Sequence, residues 1–91
     1  MTRLIDIIAK LSDMDREDVI CVRPEWSAES EAGVFRFGAD YRVPEEAARL
    51  GLKYFLEVDV ARQVLEEFTN RPTATLAERC ARLIDYAERD A

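Results

Sequence analysis

The stretch "YRVPEEAARLGLKYFLEV", residues 41–58, carries a helix start, a helix stop and a strand in immediate succession. Pro44 suits the first turn of a helix, because the amide it lacks would have no helical partner there. Glu45 and Glu46 follow where the positive end of the helix dipole favours acids. Gly51 closes the helix, since glycine takes the left-handed backbone of a helix end at little cost, so residues 45–50 read as one short helix. "KYFLEV", residues 53–58, is aromatic and β-branched enough to be a strand, and Asp59 directly after it can cap another helix. The segment is therefore a frame for a small mixed fold. Its acids either line an active site or face a partner.

Working outward from this frame, Leu4, Ile5, Ile8 and Leu11 recur at helical spacing, so residues 3–11 read as a first helix, with Asp6 and Lys10 four apart as a surface pair. "SDMDRED" is a charged connection, and "VICVR", residues 19–23, is a β-branched strand ended by Pro24. "PEWSAESEAG" follows neither period and reads as a loop before a second strand, "VFRFG", at residues 34–38. Downstream, Val60, Val64, Leu65 and Phe68 share a helix face that ends by Asn70 and Pro72. "TLAE", residues 75–78, is a capping box opening a last helix with the stripe Leu76, Cys80, Leu83, Ile84 and Ala87. The order α, β, β, short α, β, α, α predicts an α/β (α+β) protein with a three-stranded sheet covered by three to four helices. A chain of 91 residues with no repeat or linker reads as a single domain, 1–91, with one core.

Composition narrows the function. With 48% hydrophobic and 35% charged residues the chain is expected to fold. No apolar run approaches the roughly 20 residues that span a bilayer. Arg3, Asp6 and Lys10 interrupt what would be a signal-peptide centre, so the expected location is cytoplasmic. Cys21 and Cys80 are isolated and expected as buried thiols. The net charge of −6 disfavours nucleic acid. It is uneven: residues 25–46 hold Glu25, Glu29, Glu31, Asp40, Glu45 and Glu46 against Arg36 and Arg42. Residues 71–91 balance four arginines against four acids, which is an ordinary solvated helix.

The chemical inventory is short. The chain has no His, which removes Ser-His-Asp and Cys-His arrangements and the commonest metal ligand. Neither Cys has zinc-ligand spacing, and no Gly-rich phosphate loop is present, so no metal or cofactor is expected. In "SDMDRED" the alternation of Asp13, Asp15 and Glu17 lacks the central Gly and terminal Glu of a calcium loop. Glu45 and Glu46, adjacent on a helix, point about 100° apart, a poor geometry for sharing one ion or substrate. An enzyme built on carboxylates alone would need two acids of raised pKa in one concave pocket, and the expectation is that the chain is not an enzyme.

Trp26, the single Trp, lies among Glu25, Glu29 and Glu31, and Tyr41 follows Asp40. An aromatic with a charged rim is the make-up of a protein interface, whereas the plainer reading folds the Trp back over a sheet edge. Phe35, Phe37, Tyr54 and Phe55 fall in strands and read as core. The partner surface drawn from this argument has Trp26 and Tyr41 as anchors, ringed by Glu29, Glu31, Asp40, Glu45 and Glu46. Reversing Glu29 and Glu31 to Lys is then expected to slow association and leave the fold intact.

"RLIDIIAKL", "EDVICVRPEW", "VPEEAARLGLKYFLEVDVARQVLEEF" and "TLAERCARLIDYAERDA" together resemble small bacterial immunity proteins of contact-dependent growth inhibition and related polymorphic toxin systems. The resemblance is strongest in the Pro-Glu-Glu-Ala stretch, the strand after Gly51 and the "YAERDA" ending, and it spans the chain in element order and size. It implies a cytoplasmic protein that binds and neutralises one cognate toxin domain, commonly a nuclease with a basic cleft. It assigns no contact residue, so those above rest on charge and aromatic placement alone. The alternative is a self-associating regulatory or adaptor module, a homodimer paired through its apolar helix faces.

Overall fold

β1, Asp18–Val22, is the centre of the molecule, bonded on both sides in an antiparallel sheet of order β2-β1-β3. The computed structural model describes residues 2–36 and 44–90. Around the sheet strands β2, Ala32–Arg36, and β3, Lys53–Glu57, stand α1, Leu4–Ala9, α2, Glu45–Arg49, α3, Val58–Leu65, and α4, Leu76–Asp90. Two 3-10 turns, Leu11–Asp13 and Glu66–Asn70, follow α1 and α3. This is the small α+β fold that the sequence predicts, in the expected order.

"VICV" shows no alternation because β1 is covered on both faces. Ile20 and Val22 enter a large cluster with Leu4, Ile7 and Ile8 of α1, Val58 and Ala61 of α3, and Cys80, Leu83 and Ala87 of α4. Val19 and Cys21 point the other way, into a small cluster with Ala47 and Leu52, against which Phe35 packs. The expected single core is thus divided by the sheet. Both cysteines are free and buried, and burial pushes each thiol up to about 11.

β3 departs from simple alternation. Ile20 pairs with Leu56 and Cys21 with Tyr54, so Phe55 is an extra residue, a bulge. The bulge sends both Phe55 and Leu56 into the large cluster. Tyr54, expected as core, is left 40% exposed.

Several helix ends differ from expectation in detail. α1 stops at Ala9, and the carbonyls of Leu11 and Met14 in the turn beyond it accept hydrogen bonds from the Arg62 guanidinium of α3. Asp6 pairs with Arg3, at 3.1 Å, in place of Lys10. α3 begins at Val58, so Asp59 lies in the first turn, where its carboxylate accepts from Gln63. β2 starts two residues earlier than expected because Val22 pairs with Ala32. Phe37 and Gly38 of the expected strand lie outside the described residues. The capping box of α4 is formed as read: Thr75 Oγ1 accepts from the Glu78 amide at 3.1 Å, and Glu78 Oε1 accepts from the Thr75 amide at 3.2 Å. Among the described residues no helix is long and apolar enough to cross a membrane.

Candidate interaction surface

The end of α2 is built by "AARLGL". Gly51 takes φ +76°, which lets its amide bond the Ala48 carbonyl and the Leu52 amide bond the Ala47 carbonyl, each at 3.0 Å. These are the two bonds of a Schellman motif, completed by the apolar contact of Leu52 with Ala47 in the small cluster. Arg23, just past β1, adds a bond from Nη2 to the Leu50 carbonyl at 2.6 Å and pairs with Glu31 at 3.1 Å. A helix of five residues is marginal alone. Here its end and its inner face are both tied down.

This unit carries Glu45 and Glu46, both exposed, with Leu50 49% exposed at its end; Tyr54 follows in β3 with Glu57, Cys21 and Tyr86 as its electrostatic neighbours. Glu45 meets Arg49 at 2.8 Å across one helical turn, but both side chains are so open to water that the pair is weak. Glu46 has no ion pair among the described residues. Burial, and secondarily the charge of Glu57, raise the Tyr54 phenol above its ordinary pKa, so it stays neutral at physiological pH. The result is an exposed leucine closing a helix that opens with two exposed acids.

Trp26 lies elsewhere. Its indole folds back, half-buried, donating to the Val22 carbonyl at 3.2 Å and standing edge-on to Phe55 with centroids 5.0 Å apart. Glu29 meets Arg3 at 2.7 Å, and Glu31, whose side chain is 19% exposed, meets Arg23. Arg3 also forms a β-bridge with Glu31, so the 24–31 loop is stitched to the start of α1 and the end of β1. Lys at 29 and 31 would face Arg3 and Arg23. The expectation that this reversal leaves the fold intact therefore gives way to one of destabilisation. Asp40 and Tyr41 lie outside the described residues.

The structure thus gathers Glu45 and Glu46 on one surface and employs Trp26, Glu29 and Glu31 partly inside the chain. Sequence reasoning missed Leu50 and Tyr54. The only trace of the Tyr54 exposure was the unalternating Tyr-Phe-Leu run, and Leu50 was legible only as the residue before the helix stop. "SDMDRED" closes a turn: Asp15 accepts from the Glu17 amide at 2.9 Å, and Arg36 of β2 reaches Asp15 at 2.9 Å and Asp18 at 3.3 Å. Those bonds, the Glu17 amide first and Arg36 next, hold the Asp15 carboxyl below its ordinary range. Among the described residues, no three His, Cys, Asp or Glu side chains are placed to hold a metal ion. Comparison of the chain with family models, with curated proteins and with solved structures finds no match.

Proposed function

We propose that the chain is a cytoplasmic immunity protein that binds and neutralises a cognate toxin domain, with a nuclease of basic active-site cleft as the class whose charge fits best. The observation that carries this reading is the short helix α2, which presents exposed Glu45 and Glu46 and ends on exposed Leu50, on a protein of net charge −6. An apolar centre with a charged rim is how transient protein interfaces are composed. Acidic potential speeds encounter with a basic partner and suppresses competition from nucleic acid. Such a surface can also occupy the ground where a nuclease holds phosphate. In this reading Glu45, Glu46 and Leu50 touch the partner, and Trp26, Glu29 and Glu31 shape the 24–31 loop.

The test begins with capture of partners by the tagged chain in its native host, identified by mass spectrometry. A single stoichiometric basic protein, toxic when expressed alone, is the expected catch. Glu45→Gln combined with Glu46→Gln, which removes the charge without setting a cation at the start of α2, should then lower its association rate by roughly 3–10-fold at low salt while the circular dichroism spectrum stays unchanged. Recovery of the chain alone would overturn the inhibitor reading in favour of self-association. Unchanged association of the double variant would remove this face from the interface.

A further inference from the structure

A groove of about 540 Å³ opens at the C-terminal end of α1, bounded by Leu65 and Arg62 of α3 and by Leu76 and Arg79 of α4. That volume falls within the roughly 300–1,000 Å³ of small-ligand clefts. Ile8, Leu11, Leu65 and Leu76 make an apolar wall, and the hydroxyls of Ser12 and Thr69 lie at its margin. Leu76 is 37% exposed, so the wall is wetted in the free protein.

The groove brings together two arginines that no carboxylate neutralises among the described residues. Most described arginines pair with a carboxylate. Arg16, Arg62 and Arg79 do not, and the last two line this groove. Arg62 spends Nε and Nη2 on the Leu11 and Met14 carbonyls, leaving Nη1 without an acceptor among the described residues. Arg79 lies over the ring of buried Phe68, 5.3 Å from its centroid. A cation–π contact engages the charge and leaves the N–H donors available. Arg71, on the same ring, is turned to Glu78 at 3.5 Å and is already neutralised. Glu66 is the acid of the lining, and it is exposed.

We propose that this groove binds an aliphatic monocarboxylate, its carboxylate on Arg79 and its chain along Leu65, Leu76 and Ile8. A bare phosphate would satisfy the arginines and leave the apolar wall wet, whereas an uncharged lipid would cover the wall and leave the guanidinium donors unanswered. Overall negative charge does not prevent this, because the field of distant acids is screened beyond about 8–10 Å at ordinary ionic strength. The assignment is independent of the immunity reading.

The experiment is a titration of the full chain, labelled with ¹⁵N, with sodium octanoate, using 1-octanol and sodium acetate as the tail-only and charge-only probes. Saturable amide shifts at Ile8, Leu11 and Leu76 are expected for octanoate, with about tenfold weaker binding of either control. Leu76→Glu adds a repelling charge at the first helical position of α4, where an acid favours the helix, so it should abolish binding and keep the fold. Arg79→Gln should weaken binding about tenfold. Non-saturating shifts, octanol binding as tightly as octanoate, or parental affinity in both variants would overturn the proposal.

Discussion

Replacing Gly51 with alanine should loosen the turn that holds the acids of α2 in place, and the structure allows its size to be worked out. A side chain in the left-handed region costs about 1–2 kcal/mol. The smaller conformational freedom of alanine in the unfolded chain offsets roughly 0.4–1 kcal/mol of that. The new Cβ would lie 2.8 Å from Arg23 Nη1, so the guanidinium must withdraw from the Leu50 carbonyl and from Glu31. Those contacts are exposed, and losing them adds about 0.5–1 kcal/mol. The net loss is about 1–2 kcal/mol. With a urea dependence of about 1–3 kcal/mol per molar, the unfolding midpoint should fall by roughly 0.5–1 M. Trp26 fluorescence is the natural signal, since this single indole rests against Phe55 and gains water on unfolding. In an Arg23→Ala background the cost of Gly51→Ala should shrink to its backbone part. A midpoint equal to the parent's, or a cost that Arg23→Ala does not reduce, would refute the account of this turn.

Phe55→Ala should destabilise by about 3–5 kcal/mol, the range for emptying a buried aromatic site, and shift native Trp26 emission to the red; urea unfolding that shows a loss below about 1 kcal/mol would mean the site collapses freely. Asp6 and Asp15 titrate below their ordinary 3.8 in the folded chain, Asp6 chiefly through its bond from Arg3 and Asp15 chiefly through the Glu17 amide. Because the folded values are depressed, their contribution to stability is complete above the ordinary carboxylate pKa and is lost as pH falls through the folded values. Carboxyl ¹³C titration should place both below 3.8, with Asp15 alone rising in Arg36→Gln; a midpoint at or above 3.8 for either would contradict its pairing.

Much of the scaffold was legible because it follows from short-range rules. Pro44, the two acids and Gly51 bracket α2 within a few positions, and the Thr75–Glu78 box satisfies its own helix end. The β-branched run of β1 was legible as a strand, and its coverage on both faces emerged only from the fold. The candidate surface was legible only in part. Glu45 and Glu46 could be placed at an exposed helix start, but that Leu56 is buried beside Phe55 while Tyr54 is exposed depends on the pairing of β3 with β1 and on the bulge within it.

The sequence by itself determined the element order, the mixed fold class and the total charge, since each depends on residue identity and near neighbours. Which charges remain open to a partner was decided by the tertiary structure. Arg3 reaches Glu29 across 26 positions and Arg23 reaches the Leu50 carbonyl across 27, and no periodicity foretells such meetings. A charged side chain brought to an opposite one exchanges its long-range field for a local bond. The acids facing outward are therefore the ones that folding left without such a meeting, or paired only in open water.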